Sequence, residues 1–294
     1  MLEGFDSTVV TRDDVRLKVR VAGRGEPLLL LHGHPQTGAM WHRVAPSLAE
    51  RFRVVVLDLR GYGDSGRPAA GEGSVSYSKR EMALDALHVM RTLGHDRFQV
   101  LAHDRGARVA HRLAADHPQQ VERLLLLDIA PTLAMYRTTT QAFAMAYWHW
   151  FFLVQPPPLP EALIASDPVR YIRSVMGSRH AGLACFAPEA MAEYERCIAI
   201  PGTAEAICAD YRASAGIDLV HDQSDVDAGR KLTQPVRVLW GEHGAVGRNF
   251  DVLALWRERT MQVTGRSVAC GHYIAEEAPD QVLSEALEFF RSKQ

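Results

Sequence analysis

The chain has 294 residues, of which 47% are hydrophobic and 23% are charged, and its formal net charge is −2. This composition is typical of a globular protein with a sizeable core, and it lacks the basic block that nucleic-acid binding favours. No apolar run reaches the roughly 20 residues of a membrane span, and the first residues do not resemble a signal peptide. We therefore expect a cytoplasmic protein with neither nucleic-acid nor membrane partners.

The cysteine pattern gives no sign of a metal or a cofactor. The four cysteines are far apart in the sequence and form no Cys-x-x-Cys pair. Their spacing argues against zinc and against a disulfide framework, so free thiols are expected. The sequence also has no glycine-rich phosphate loop and no cluster of metal-ligating residues. It thus predicts no cofactor and no metal.

Short β-rich runs alternate with helical patterns in the first part of the chain. The runs at residues 15–21, 27–31, 53–58, 98–102 and 124–128 predict strands, and amphipathic stretches at 78–93 and 109–117 predict helices. This alternation predicts an α/β fold with a mostly parallel central sheet that is flanked by helices.

The pattern changes after Pro131. Residues 140–153, 168–176, 188–198 and 204–215 all have helical patterns, before a strand at 236–240 and a last helix at 280–292. A helical stretch of about a hundred residues between two strands indicates a cap inserted into the sheet domain. We predict a core formed by residues 1–133 and 234–294, and an all-helical cap formed by residues 134–233.

Polar residues follow several of the predicted strands, where the functional residues of a parallel sheet gather. Ala102-His103-Asp104-Arg105-Gly106 fits the strained strand-to-helix turn that exposes a nucleophile, with Asp104 in the nucleophile position. Asp128 ends the run at 124–128, and His272 follows a further predicted strand at 266–270. The order nucleophile, acid, histidine predicts a catalytic triad of Asp104, Asp128 and His272.

An aspartate nucleophile indicates alkyl transfer. A carboxylate that displaces a leaving group from carbon forms an ester, which water can hydrolyse, whereas a serine would form a stable ether. His272 would activate this water, with Asp128 orienting the imidazole. The backbone N–H groups of His34 and Arg105 are the candidate donors to the oxyanion formed during ester hydrolysis.

Two arginines accompany the candidate nucleophile. Arg105 and Arg108 are three residues apart, so they lie on one face of the helix that begins at this turn. Guanidinium groups bind carboxylates through paired hydrogen bonds, and the pair therefore predicts a small substrate that carries a carboxylate. The same cations and the helix N-terminus should depress the pKa of Asp104.

Over nearly its whole length the chain resembles the α/β-hydrolase superfamily, and within it the fluoroacetate (haloacetate) dehalogenases. The residues that carry the closer resemblance are His103-Asp104-Arg105-Gly106-Ala107-Arg108, His149-Trp150, Asp210-Tyr211-Arg212 and Gly241-Glu242-His243-Gly244-Ala245-Val246-Gly247. The resemblance implies that His149, Trp150 and Tyr211 bind the departing halide, and all three side chains are hydrogen-bond donors. His34 is a departure, since related dehalogenases tend to have an aromatic residue there.

Two carboxylates compete for the third place in the triad. Many members of the superfamily carry this acid near residues 241–244, where this chain has Gly244 and, close by, Glu242. Asp128 ends a buried strand in the predicted pattern, so it is the stronger candidate.

The leading interpretation is hydrolytic dehalogenation of fluoroacetate or another haloacetate to glycolate and halide. The resemblance also makes a homodimer a candidate assembly. An epoxide hydrolase is the alternative, because it uses the same aspartate nucleophile with two lid tyrosines, and the chain offers Tyr147, Tyr171, Tyr194 and Tyr211. The paired arginines argue against it. A third interpretation is a lid-gated small-molecule binder without catalysis.

Overall fold

The structure, a computed structural model, describes residues 2–291. Its centre is an eight-stranded sheet in the order β1-β2-β4-β3-β5-β6-β7-β8. The strands are β1 (Asp6–Arg12), β2 (Val15–Ala22), β3 (Glu26–Leu31), β4 (Phe52–Leu57), β5 (Phe98–His103), β6 (Val121–Leu127), β7 (Val236–Gly241) and β8 (Val263–Val268). β2 pairs antiparallel with β1 and β4, and the other pairs are parallel. The mostly parallel sheet is thus confirmed.

Helices flank this sheet and fill the interval between β6 and β7. The helices before and after that interval are α1 (Ala45–Ala49), α2 (Lys79–Thr92), α3 (Asp104–Asp116), α12 (Ala245–Asn249), α13 (Val252–Arg259), α14 (Ile274–Glu277) and α15 (Pro279–Phe289). Those between β6 and β7 are α4 (Thr132–Arg137), α5 (Gln141–Ala146), α6 (Trp148–Leu153), α7 (Leu159–Ser166), α8 (Pro168–Gly177), α9 (Pro188–Ile198), α10 (Thr203–Ala215) and α11 (Ile217–Asp227). Short 3₁₀ segments occupy Gly38–Arg43 and Glu72–Tyr77.

The structure differs from the predicted elements at several boundaries. The predicted helix at 140–153 is two helices, because Tyr147 between them has the non-helical angles φ −112° and ψ 35°. The last strand is Val263–Val268 and not 266–270, and α3 begins at Asp104 itself. Strand β1 was not predicted, because its residues are mostly exposed and lack an apolar pattern. The predicted helix end at residue 292 lies outside the described residues.

The parallel register gathers the ends of four strands at one edge of the sheet. Leu31 is level with Ala102, His103 with Leu127, and Leu127 with Leu239. The strands β3, β5 and β6 are almost entirely buried, which explains their continuous apolar sequences. Residues that follow these strands therefore lie close together.

The eight helices between β6 and β7 cover this edge, and their residues contact the core. On α9, the Tyr194 hydroxyl donates to Glu276 Oε1 at 2.5 Å, and on α10, Asp210 accepts a hydrogen bond from the Tyr62 hydroxyl at 2.8 Å. The division into a core and a cap at residues 134–233 stays a prediction, and its core includes Met1 and residues 292–294, outside the described part. None of the helices described is long and apolar enough to cross a membrane.

Candidate active site

Asp104 occupies a strained turn between β5 and α3. Its backbone has a φ of +45°, in the left-handed region that non-glycine residues rarely adopt, and its side chain is buried. Close approach of two neighbouring segments makes the turn possible. A Cβ atom at Gly33 would lie 2.5 Å from Asp104 Cβ, and one at Gly106 would lie 2.4 Å from the His32 carbonyl oxygen. The turn thus holds the Asp104 carboxylate at the edge where the strands end.

The structure places His272 against Asp128. His272 Nδ1 and Asp128 Oδ2 are 2.6 Å apart, and Asp128 Oδ1 accepts a hydrogen bond of 2.9 Å from the backbone N–H of Gly241. A Cβ atom at Gly244 would be 3.3 Å from Asp128 Oδ1, so this carboxylate fills the space beside that glycine. Glu242 is exposed. The geometry favours Asp128 over Glu242 as the partner of the histidine.

Two further histidines form hydrogen bonds to backbone atoms near the strand ends. His103 Nε2 lies 2.9 Å from the His272 carbonyl oxygen. His32 Nε2 accepts from the backbone N–H of Leu59 at 3.0 Å, which leaves its Nδ1 to donate to the Gly33 carbonyl at 2.9 Å. Burial lowers the pKa of both imidazoles, that of His103 to about 4, so both are neutral at pH 7. Their contacts are those of structural residues.

The charge of Asp104 is stabilised by what surrounds it. Burial by itself would raise the pKa of Asp104, but the nearby side chains of His272 and His103, and after them Arg108 and Arg105, outweigh it. The resulting pKa is well below the ordinary value, as the sequence predicted. The backbone N–H of His34, a predicted oxyanion donor, donates to Asp104 Oδ1 at 2.9 Å.

Arg105 does not present a free guanidinium, because most of its donors are used within the protein. Its Nε and Nη2 donate to Asp210 Oδ2 and Oδ1 at 2.9 and 2.6 Å, and Nη2 also donates to Ser214 at 2.6 Å. Only Nη1 lacks a partner among the residues described. The guanidinium also lies over the Tyr211 ring, 4.1 Å from its centre. The sequence missed this pairing because Asp210 is 105 residues away.

Arg108, unlike Arg105, has no carboxylate partner in the described part of the chain. Its Nη1 donates to Thr132 Oγ1 at 2.8 Å and to the Ala130 carbonyl at 3.2 Å, while Nε has no partner there. The guanidinium lies 4.7 Å from the centre of the Trp150 ring. Burial lowers the pKa of Arg108, and the Asp104 charge opposes that shift. The charge of Arg108 and its unpaired donor are those that an anion-binding group needs.

The three candidate halide ligands lie on two of the covering helices. His149 and Trp150 are on α6, Tyr211 is on α10, and the His149 and Tyr211 ring centres are 5.8 Å apart. Trp150 Nε1 is buried without a hydrogen-bond partner within residues 2–291, so its N–H is available to a ligand. His34 lies beside them, 5.3 Å from Tyr211, and burial lowers its pKa to about 3. The His34 ring therefore adds no charge.

Asp210 has a role at the site that the sequence did not predict. Besides Arg105 it accepts hydrogen bonds from Lys79 and from the Tyr62 hydroxyl, so one buried carboxylate joins α10 to three core residues. Burial would raise its pKa, but Arg105 and Lys79 outweigh it and lower the pKa well below the ordinary value. Tyr211 is the next residue, and Asp210 thereby fixes Tyr211 over the site.

We expect Asp210→Asn to lower the free energy of unfolding at pH 7 by about 3–5 kcal/mol, because it leaves two buried cations unpaired. Urea denaturation measures this change. Asp227→Asn, at an exposed position of α11, is the control and should change it by less than about 0.5 kcal/mol. Because the folded-state pKa of Asp210 is depressed, its pairing stabilises the protein fully above the ordinary carboxyl pKa of about 4, and this stabilisation declines as the pH falls from there through the depressed pKa. The difference between wild type and variant should therefore narrow on acidification; equal stabilities at pH 7 would contradict the prediction.

The comparisons with known proteins agree with this geometry. The chain matches the family of the α/β hydrolase fold over residues 26–279 and belongs to it. It is a hydrolase of the α/β family, and its fold has the same class as a crystal structure from Nostoc sp. PCC 7120 described as an α/β hydrolase. That structure has a TM-score of 0.95 and 53% identity, over 98% of this chain and 99% of its own.

Two relatives of the chain are enzymes with different activities. A fluoroacetate dehalogenase from Burkholderia sp. is 40% identical over 99% of this chain and 97% of its own length, which confirms the resemblance seen in the sequence. A soluble epoxide hydrolase from Corynebacterium sp. strain C12 is 36% identical over 94% of this chain and 93% of its own length. Sequence similarity alone therefore does not distinguish a haloacetate from an epoxide as the substrate.

Proposed function

We propose that this protein hydrolyses a haloacetate, with fluoroacetate as the first candidate, to glycolate and halide. The observation that carries the proposal is the environment of Arg108. Its guanidinium is buried, has no carboxylate partner among the described residues, and is close enough to Asp104 to lower the pKa of that carboxyl group. A neutral substrate would leave this cation unpaired, whereas a haloacetate brings its own carboxylate. The Nη1 atom of Arg105 is a second donor for that carboxylate.

In the first step an Asp104 carboxylate oxygen attacks the carbon that bears the halogen. The carbon–halogen bond breaks, its electron pair leaves with the halide, and a carboxymethyl ester forms on Asp104. His149, Trp150 and Tyr211 would donate hydrogen bonds to the departing halide from the side of the helices that cover the site. Charge-assisted hydrogen bonds of this kind stabilise the halide as its charge develops.

In the second step His272, oriented by Asp128, removes a proton from a water molecule that attacks the carbonyl carbon of the ester. The His34 backbone N–H, 2.9 Å from Asp104 Oδ1, and the Arg105 backbone N–H would stabilise the oxyanion. The ester bond then breaks, glycolate leaves with the proton from His272, and the Asp104 carboxylate is restored. One water is consumed, and one halide and one proton are released for each haloacetate.

Epoxide hydrolysis is the second candidate, and the tyrosines around the site favour it. Tyr171 is 6.4 Å from His34 between ring centres, and its hydroxyl is buried without a partner in the described part of the chain. Tyr211 is the second possible acid, 5.3 Å from His34. Two such hydroxyls could protonate an opening epoxide oxygen. Arg108 weighs against this candidate, because a neutral epoxide gives a buried cation no counter-charge.

Halide and diol release from purified protein distinguishes the two candidates. Fluoroacetate, chloroacetate and styrene oxide are tested in parallel, with Asp104→Asn as the control for the nucleophile. We expect fluoride and chloride release from the haloacetates, reduced by about a thousandfold or more in the variant. Diol formation without halide release would establish the epoxide hydrolase instead, and turnover of none of the three substrates would contradict both candidate functions.

The proposed homodimer is checked on the same protein by sedimentation.

A further inference from the structure

Arg179 is a cation near the site to which the sequence analysis gave no role. It lies two residues after α8, with its guanidinium 4.9 Å from the centre of the Tyr147 ring. Its Nη1 donates to the Ala146 carbonyl at 3.2 Å, and its Nη2 lies 3.5 Å from His149 Nδ1. No carboxylate within residues 2–291 pairs with it, and its Nε has no partner there. A desolvated guanidinium without a counter-charge is costly, so its contacts need an explanation.

The surroundings of Arg179 place it beside the reacting groups. Arg179 is close enough to Tyr273 to oppose the burial that raises the pKa of that phenol, and the Tyr273 ring centre is 4.9 Å from that of His272. The Asp104 charge is close enough to raise the pKa of Arg179, although burial acts in the opposite direction. The guanidinium is therefore held between a candidate halide ligand and the candidate general base, at a position fixed by aromatic rings and a backbone carbonyl.

The contact between Arg179 and His149 determines where the imidazole proton resides. A guanidinium has five N–H donors and no acceptor, so His149 Nδ1 must be the accepting atom of this pair. The separation of 3.5 Å makes the hydrogen bond a long one, but the positive charge also disfavours an N–H dipole that points towards it. A neutral imidazole with an accepting Nδ1 carries its single proton on Nε2.

We propose that Arg179 is a positioning residue that holds His149 in the Nε2–H tautomer, so that the imidazole donates to the departing halide. This inference rests on the proposed function. It makes Arg179 a residue that promotes the departure of fluoride. With the proton on Nδ1, a lone pair on Nε2 would face the halide and repel it. Fluoride is a small anion and a poor leaving group, so its departure depends more on such donors than that of chloride does.

The charge state of His149 makes the tautomer decisive. Burial, and after it the charge of Arg179, lowers the pKa of His149 well below the ordinary value, so the imidazole is neutral at pH 7. An imidazolium would donate from both nitrogens whatever its neighbours, but a neutral ring donates from only one. The neighbouring His34 ring, stacked at 6.2 Å, is also neutral and gives His149 no negative partner that would reverse this shift.

A purely structural role for Arg179 makes a different prediction. The guanidinium could serve only to bind the last carbonyl of α5, Ala146, and to cover the Tyr147 ring. In that case a change at Arg179 would lower stability and reduce turnover of every substrate equally. The His149 tautomer and the preference between halides would stay the same.

The tautomer is measured by ¹⁵N NMR of the full chain with labelled histidine. The His149 signals are assigned by their loss in His149→Gln. We expect the wild type to show a protonated Nε2 and an unprotonated Nδ1, and Arg179→Met to show a mixture of tautomers. Arg179→Lys keeps a cationic donor and should restore the wild-type pattern. Arg170→Met, at an exposed position on α8, is the matched control and should leave the tautomer unchanged.

Halide release from the same variants gives the kinetic counterpart. In Arg179→Met, kcat for fluoroacetate should fall about tenfold further than kcat for chloroacetate, as expected when one oriented donor to a developing anion is lost. KM should change little, because Arg179 does not bind the substrate carboxylate. Arg170→Met should leave both rates unchanged.

The outcomes separate this proposal from the proposed function. If His149 of the wild-type protein carries its proton on Nδ1, the proposed role of Arg179 is wrong. This outcome depends neither on the folding of Arg179→Met nor on halide release by the protein. Unchanged tautomer and unchanged halide preference in a folded Arg179→Met overturn it while dehalogenation stands. Absence of halide release from the wild type contradicts the proposed function, while the NMR result still decides whether Arg179 sets the tautomer.

Discussion

Replacement of His272 by glutamine is expected to give a protein that releases one halide ion per molecule from a haloacetate and then stops. The first step needs only the Asp104 carboxylate and the halide donors, so alkylation proceeds. The second step needs the imidazole that Asp128 orients at 2.6 Å, and glutamine cannot take a proton from water. Steady-state turnover should therefore fall by about a thousandfold or more.

The trapped intermediate identifies the nucleophile directly. Mass spectrometry of digested His272→Gln after reaction should find one carboxymethyl group on the peptide that contains Asp104. The double variant Asp104→Asn, His272→Gln is the control and should show neither the halide burst nor the added mass. Sustained turnover by His272→Gln, or a carboxymethyl group on another residue, would contradict the two-step mechanism.

Arg108→Met should have the second large effect, and it should depend on the charge of the substrate. The variant removes the buried guanidinium that has no carboxylate partner among the described residues, so a haloacetate loses its main charge-assisted hydrogen bonds. We expect kcat/KM for chloroacetate to fall by about a hundredfold to a thousandfold, mostly through KM, which corresponds to about 3–4 kcal/mol. Initial rates over a range of chloroacetate concentrations measure the change.

A neutral substrate provides the internal control. Chloroacetamide has the same reacting carbon and leaving group but no carboxylate, so its kcat/KM should be nearly equal in the wild type and in Arg108→Met. A similar loss for both substrates would mean that Arg108 supports the structure or the pKa of Asp104, and the carboxylate-binding role would be wrong. Denaturation of the variant in urea shows whether the fold is retained.

The two arginines have different surroundings although the sequence presents them alike. Arg105 is fully buried and uses two nitrogens on Asp210, so removing it would leave the Asp210 carboxylate without its main partner. Arg108 has no such partner in the described part of the chain, and its Nε is unsatisfied there. A loss of activity on changing Arg105 would therefore combine binding with structure, which makes Arg108 the clearer test of substrate charge.

The sequence by itself determined the features that depend on neighbouring residues. Continuous apolar runs predicted strands β3 to β7, because strands buried on both faces need apolar residues throughout. The small-x-Asp-x-Gly pattern predicted the turn at Asp104, whose strained backbone conformation is a local requirement. The order of Asp104, Asp128 and His272 along the chain predicted a site at the strand ends, and the structure brings His272 and Asp128 to 2.6 Å.

Only the tertiary structure decided which distant residues meet. Asp210 pairs with Arg105, and Arg179 contacts His149, yet these pairs are separated by 105 and 30 positions. Periodicity reports the local backbone and the face that is buried, and it carries no information on which side chains the covering helices bring over the sheet edge. That choice is made when these helices pack on the core, because each buried charge must find its partner or remain available for a ligand.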